Sequence, residues 1–451
     1  EQISKKKEDT IVFVKGSSAV AAAWGIHHYL RHFCNCHLSW EYNRIQLPLS
    51  LPEANVNITA NDRLRYYQNV CTYGYSFVWW DWSTYWEPHL DWMALNGLNL
   101  ALAPIGQEMA WKAVYLQLGL TQQEISEYFT GPAFLPWNRM GNLRGWSGPL
   151  TDSWHNNQYS LQKKILKRMV ELGIMPIFPA FSGIVPRSFK RIFPDANLTK
   201  MSNWNNFEDS YCCPYYLSPV DPLFGKIGSM FLREYRLIYG GGENQMYSCD
   251  PFNEMTPPNG TNLKAAGNSI FSAMTSVDKG AIWVLQGWMF QSGKYYWTKT
   301  RSKEFLTSVP LGRILVLDLQ SEKTPQYDRL DNYFGQPYIW CMLHNFGGTL
   351  GLHGSASKIN TAVYMARKAT NSTMIGVGLT PEGINQNYVI YELMLENSWK
   401  KEPSNLTEWY KNGWFPYNLL PLFFHVQMGM FNIALYVTKV LDIKYKTDNL
   451  R

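Results

Sequence analysis

Eight short apolar runs punctuate the chain, separated by longer stretches of mixed polarity. They are Tyr66–Val70, Leu98–Ala103, Met175–Phe181, Gln245–Cys249, Ala281–Gln286, Ile314–Leu319, Tyr338–Leu343 and Met374–Leu379. Each is too short for a buried helix and lacks the alternation of a half-wet strand, so each reads as a strand covered on both faces. The intervening segments carry helical periodicity. In Ser160–Leu172 the apolar residues Leu161, Ile165, Met169 and Leu172 share one face, and Ile227–Tyr239 also has helical character. Strands alternating with helices predict a parallel sheet of the α/β class. About eight such units in roughly 330 residues predict a (β/α)8 TIM-type barrel with long insertions. A doubly wound nucleotide-binding sheet is disfavoured, because no Gly-x-Gly-x-x-Gly follows a strand and Gly240-Gly241-Gly242 precedes one.

The ends differ from this pattern. An apolar strand at Ile11–Val14 leads into a helix-rich stretch from Ser18 to Phe33, and the proline-containing, polar segment Leu47–Asn61 reads as a linker. This gives three expected units: a small partial N-terminal α/β domain with its linker over 1–60, the barrel over 61–400, and an atypical apolar tail over 401–451. The tail holds no Asp, Glu, Lys or Arg between Trp414 and Thr438, but Pro416, Asn418, Pro421 and His425 interrupt it, which is poor for a membrane span.

Composition narrows the function classes. Charged residues are 17% and hydrophobic residues 46%, which excludes a disordered chain. The net charge of +6 is spread out, with no basic block beyond Lys5-Lys6-Lys7, so nucleic acid is not an expected partner. Trp 19, Tyr 28 and Phe 22 can fill a core or stack on sugar faces. Seven cysteines, among them Cys34-x-Cys36 and the vicinal Cys212-Cys213, fix no connectivity. Cys34-Asn35-Cys36-His37 follows His27, His28 and His32, yet the spacing matches no standard zinc pattern, so no metal is expected. Asn-x-Ser/Thr sequons at Asn57, Asn197, Asn259, Asn371 and Asn405 are weak pointers to the secretory pathway.

In a barrel the chemistry sits where strands end. The fourth run leads into Cys249-Asp250-Pro251-Phe252-Asn253-Glu254, and the eighth into Thr380-Pro381-Glu382-Gly383. Two carboxyl groups on one face suit glycoside hydrolysis, in which one protonates the leaving oxygen and the other attacks the anomeric carbon or activates water. Helix capping or a structural ion pair explains either Glu alone about as well, but explains the pair less well. Other run ends supply Gln286-Gly287-Trp288, His344-Asn345 and Trp79-Trp80-Asp81-Trp82, the mixture of aromatic walls and oriented polar groups a sugar site needs. No Gly-x-Ser-x-Gly elbow competes.

These motifs resemble the α-N-acetylglucosaminidases of glycoside hydrolase family 89. The similarity runs from about Val20 to Trp409 through Tyr66-Tyr67-Gln68-Asn69-Val70-Cys71-Thr72, Ser76-Phe77-Val78-Trp79-Trp80-Asp81-Trp82, Asp91-Trp92-Met93-Ala94-Leu95-Asn96-Gly97, Phe129-Thr130-Gly131-Pro132-Ala133-Phe134 and Arg139-Met140-Gly141-Asn142-Leu143. It continues with Phe252-Asn253-Glu254-Met255, His344-Asn345-Phe346-Gly347-Gly348 and Pro381-Glu382-Gly383. The resemblance implies an exo-acting retaining hydrolase of terminal α-linked N-acetylglucosamine, lysosomal and acting on heparan sulfate. Glu254 would be the general acid/base and Glu382 the nucleophile, with Asn69, Cys71, Trp137, Trp204, Asn253 and Trp288 binding substrate. It implies no cofactor and no metal. A homo-oligomer is compatible with it. Intact Glu254 and Glu382 favour a hydrolase over a sugar-binding module, which needs neither, while the alternative of an inactive truncated fragment rests on the unfamiliar tail beyond Trp414. The family's large C-terminal helical domain is not recognisable after Trp409. An acidic pH optimum is expected, because the acid/base must start protonated beside an ionised nucleophile.

Overall fold

The computed structural model describes residues 2–5, 11–40, 43–344, 355–383 and 386–414. Its centre is a closed ring of eight parallel strands: β1 (Leu64–Tyr67), β2 (Leu100–Leu102), β3 (Met175–Pro179), β4 (Met246–Ser248), β5 (Ile282–Gln286), β6 (Ile314–Asp318), β7 (Tyr338–Met342) and β8 (Met374–Leu379). Neighbours in sequence are neighbours in space, and β8 closes on β1 with Gly378 opposite Tyr66 and Leu379 opposite Tyr67. Every residue of β6 and β7 is buried, as the unbroken apolar runs require. The interior takes large rings, with Tyr66, Trp283 and Trp340 at most 1% exposed. Packing such shapes to interior density fixes the strand register.

Helices cover the outside. Asp152–Leu172 starts at Thr151, whose hydroxyl accepts from Trp154 N–H, and stops at the left-handed Gly173. Pro222–Tyr239 starts at Asp221 with Pro222 in its first turn and buries Phe224, Ile227, Phe231, Leu232 and Tyr235. All eight expected runs became the barrel strands, six with trimmed ends and the eighth unchanged. The first run shifts to Leu64–Tyr67, because Gln68 takes φ 111° and turns the chain out of the ladder towards the rim.

The N-terminal unit is a three-stranded antiparallel sheet, Val12–Lys15, Gln2–Lys5 and Asn55–Asn57, beside the helix Ala19–His32. The linker expectation for Leu47–Asn61 is corrected in part: Asn55–Asn57 is a strand. Its partner lies at Gln2–Ser4, so no local pattern announced it. The unit is fastened to the barrel by Trp24 stacked on Trp399 at 3.8 Å, and by Arg31, which pairs with Glu392 and with Glu396 at 3.2 Å. Glu392 and Glu396 belong to the helix Tyr388–Glu396 that follows β8. Among the described residues the final helix spans Leu406–Trp414. The apolar stretch considered for the membrane lies outside the described residues apart from Trp414. No helix among the described residues is long and apolar enough to cross a membrane.

Candidate active site

The C-terminal rim is built from chain that leaves the strands under tight local control. After β1, Asn69 Oδ1 accepts from Cys71 N–H at 2.9 Å, starting the π-helical turn Thr72–Ser76. Two hydroxyls of that turn hold the loop after β8: Thr72 Oγ1 donates to Pro381 O, and Ser76 Oγ to Glu382 O. Thr380 adds bonds from its N–H to Met342 O at 2.9 Å and from its hydroxyl to Leu319 O at 2.9 Å. Glu382 is therefore presented by a backbone tied to β1, β6 and β7. Asn69 Nδ2 donates to Glu382 Oε1 at 3.5 Å and to Thr380 O at 3.4 Å.

Glu254 stands on the turn after β4 and is exposed. Phe252 anchors that turn, buried between Tyr216 and Trp297. Two indoles grip the carboxyl: Trp204 Nε1 donates to Oε2 at 2.7 Å and Trp288 Nε1 to Oε1 at 3.1 Å. Trp288 follows Gly287, where a Cβ would meet Leu317 O at 2.8 Å, so the close approach to β6 requires glycine. Asn253 is buried and its Nδ2 reaches Met140 Sδ at 3.1 Å, while its carbonyl accepts from Ser292 Oγ at 3.2 Å. Trp137 sits on the short helix Leu135–Arg139 and extends the aromatic wall, 6.2 Å from Trp204 and 5.2 Å from Tyr75.

Cys71 links the two carboxyl groups electrostatically. Its thiol is pushed well above the usual range, first by burial, then by Glu382, then by Glu254. It is a neutral group within the field of both acids. Contacts thus join Asn69 to Glu382 and Trp204 and Trp288 to Glu254, with Trp137 adjoining through Trp204 and Asn253 preceding Glu254, and Cys71 lies within the field of both acids.

Three further acids lie beneath the rim, and the sequence reading missed all three as functional candidates. Asp250 is pushed up to about 6 by burial despite hydrogen bonds from Gln286, and Asp318 to about 6 by burial despite N–H bonds from Gln326 and Tyr327. Burial holds Glu322 near 7, although its Oε1 accepts from Leu343 N–H at 3.1 Å and His344 N–H at 2.7 Å. Asp250 follows β4, and Asp318 and Glu322 end or follow β6, so a search for every acid at a strand end would have found them. Asn345–Gly348 lie outside the described residues. A cavity of about 480 Å³ opens behind the Glu382 loop, lined by Trp40, Phe77, Trp80, Trp92 and Pro381. Of the aromatic candidates, Trp79 and Trp80 line this cavity, whereas Trp137, Trp204, Trp288 and the two candidate carboxyl groups do not. Among the described residues, Asp209, Cys212 and Cys213 are the groups close enough to share a metal, but the two sulfurs are bonded to each other.

A closed parallel barrel carries these acids and indoles on the rim where barrel enzymes place their chemistry. The family model described as "Alpha-N-acetylglucosaminidase (NAGLU) tim-barrel domain" matches residues 65–401, and the NAGLU N-terminal domain model matches residues 2–53. The chain belongs to the α-N-acetylglucosaminidase family. Human (Homo sapiens) alpha-N-acetylglucosaminidase is 52% identical over 403 residues, covering 88% of this chain and 54% of that protein. A family 89 glycoside hydrolase from Clostridium perfringens, in complex with 2-acetamido-1,2-dideoxynojirmycin, superimposes with TM-score 0.82 at 32% identity, covering 91% of this chain and 46% of the other. A variant of the Clostridium perfringens enzyme, with two glutamates changed to glutamine, is described in complex with its substrate GlcNAc-α-1,4-galactose. It superimposes with TM-score 0.82 at 31% identity, covering 91% of this chain and 45% of the other. The chain spans about half the length of these relatives.

Proposed function

We propose that the site hydrolyses terminal α-linked N-acetylglucosamine with retention, using Glu254 as general acid/base and Glu382 as nucleophile. The observation that carries this reading is the different holding of the two acids. Glu254 is exposed and gripped by two indole N–H groups, while Glu382 is half-buried against the Asn69 amide. The first is open to a leaving group, and the second is fixed beneath a sugar ring. Glu382 attacks the anomeric carbon as the glycosidic C–O bond breaks, and Glu254 delivers its proton to the departing oxygen. Glu254 then takes a proton from the water that attacks the same carbon and frees Glu382. Trp137 and Trp204 offer faces for the pyranose, and Asn253 orients groups beside the acid/base.

The lysosomal, heparan-directed part of the reading rests on the human relative and on the sequons, since Asn57, Asn197, Asn259, Asn371 and Asn405 are all exposed. Activity is expected to peak at acid pH.

The test is turnover of a chromogenic α-N-acetylglucosaminide and of an α-linked disaccharide by the purified chain. Glu382→Gln should abolish both reactions. Glu254→Gln should abolish disaccharide cleavage and spare substrates whose leaving group needs no proton. Proton NMR should show the α-anomer released first. Wild-type rates on the disaccharide in either variant, or a β-anomer as first product, would refute the assignment.

A further inference from the structure

Trp204 reaches Glu254 from a loop closed by Met201 N–H donating to Pro214 O at 3.0 Å. Next to Pro214, Cys212 and Cys213 are joined in a vicinal disulfide, and both are buried. One contact connects the disulfide to Trp204, and two arginines hold the bridged pair in place. Asn203, the neighbour of Trp204, donates from Nδ2 to Cys212 Sγ at 3.5 Å and also to Phe207 O. The carbonyls of the bridged pair accept from two arginines, Cys212 O from Arg144 Nε at 3.1 Å and Cys213 O from Arg187 Nε at 2.9 Å. Arg187 also forks onto Asp209 at 2.7 and 2.8 Å, inside the same loop. Cys213 sits at φ 64°, a conformation that non-glycine residues hold only when their surroundings impose it. The disulfide closes a ring across this residue, and both carbonyls of the bridged pair meet an arginine.

We propose that the Cys212–Cys213 disulfide is a positioning element for the reaction, fixing Trp204 so that its indole N–H stays on Glu254. The proposal rests on the reading of Glu254 as acid/base. Neither sulfur touches the carboxyl, and the effect passes through Asn203 and the loop. Without the ring, Cys213 is free to leave the left-handed region, the arginine contacts loosen, and the Trp204 bond to Glu254 is lost for part of the time.

The experiment compares Cys212→Ser/Cys213→Ser, Trp204→Phe and the triple variant. The double cysteine variant should lose on the order of tenfold in kcat on the α-linked disaccharide, the worth of one hydrogen bond to a carboxylate. The loss should be smaller on a dinitrophenyl glycoside, which needs little protonation, whereas general loosening of the fold would lower both alike. Trp204→Phe should lose a similar amount, and the triple variant no more than either, because both changes remove the same contact. Losses that multiply in the triple variant would overturn the proposal. So would a peptide map of the unreduced protein showing both cysteines as free thiols.

If the cysteine variant fails to fold, dithiothreitol treatment of the wild type replaces it. The reagent breaks the S–S bond, giving two thiols with two of its protons and two of its electrons, and closes to a cyclic disulfide. Reduction should change the tryptophan emission of the wild type but not of Trp204→Phe, and an identical response in both would overturn the link. This readout needs no turnover. An inactive chain that still shows the difference would refute the hydrolase reading and leave the coupling standing.

Discussion

Asn69 and Glu382 meet across the seam where the barrel closes, with the Asn69 amide nitrogen 3.5 Å from Glu382 Oε1. The same side chain uses its oxygen to cap the turn that carries Cys71. One residue thus sets the backbone on one side of the seam and the acid on the other. Asn69→Asp replaces the donor with a second carboxylate, and like charges this close disfavour an ionised Glu382. It should lower kcat/KM by about 100-fold or more, the scale of losing a positioned electrostatic contact. Asn69→Ala should cost about tenfold. Steady-state kinetics on the chromogenic substrate decide, and an Asp variant as active as the Ala variant would show that the amide does not act on Glu382.

The two indole donors on Glu254 are separable. Trp288→Phe keeps a flat apolar face and removes the N–H that reaches Oε1. We expect kcat to fall about tenfold with little change in KM, since a hydrogen bond is lost and the ring surface kept. An effect confined to KM would make Trp288 a sugar platform and nothing more.

A buried ion pair supports the wall. Arg139 forks onto Glu108 at 2.7 and 3.0 Å, and Glu108 is 1% exposed. Removing one partner strands a buried charge at a cost of about 3–5 kcal/mol, whereas replacing both with apolar residues is closer to neutral. Arg139→Met should lower the urea midpoint sharply, and Arg139→Met/Glu108→Leu should recover much of the loss. Equal destabilisation of the two variants would contradict this account.

Glu322 gives stability a pH dependence of known sign. Its folded pKa, near 7, lies above the ordinary Glu value, so between about pH 4.5 and 7 the folded state holds a proton that the unfolded chain has released. The resulting stabilisation is complete below the unfolded value and disappears as pH rises through 7. Glu322→Gln keeps an oxygen for the Leu343 and His344 N–H groups and cannot ionise. The melting temperature of the wild type relative to this variant should fall from pH 5 to pH 8, corresponding to at most about 3 kcal/mol. A pH-independent difference would remove Glu322 from the buried acids.

Much of the architecture was legible because a barrel writes itself locally. Strands buried on both faces, such as Ile314–Asp318 and Tyr338–Met342, must be apolar throughout, and the helices between them must show one apolar face. The ends of the runs were legible less well. Gln68 and Asn69 extend an apolar run in sequence but leave the strand in space. The carboxyl groups could be placed on the rim from their distance past a strand, but their partners could not. Trp204 and Trp288 lie 84 positions apart and meet at Glu254 from different loops. Asp250, Asp318 and Glu322 read as ordinary polar residues, because burial is a property of the closed ring and not of their neighbours in sequence. The pairing of Asn55–Asn57 with Gln2–Ser4 was invisible because the partner strand is distant in sequence.

The closure of β8 on β1 has a consequence for how the site comes into being. Asn69 and Glu382 are 313 positions apart, so their contact exists only after the last strand has docked beside the first. Every earlier intermediate can hold the Trp204 and Trp288 grip on Glu254 yet lacks the opposing acid. In refolding, catalysis should therefore return in one late kinetic phase, after helical signal and most burial have recovered, as expected when the longest-range pairing is formed last. Enzymatic turnover then serves as a clock for ring closure.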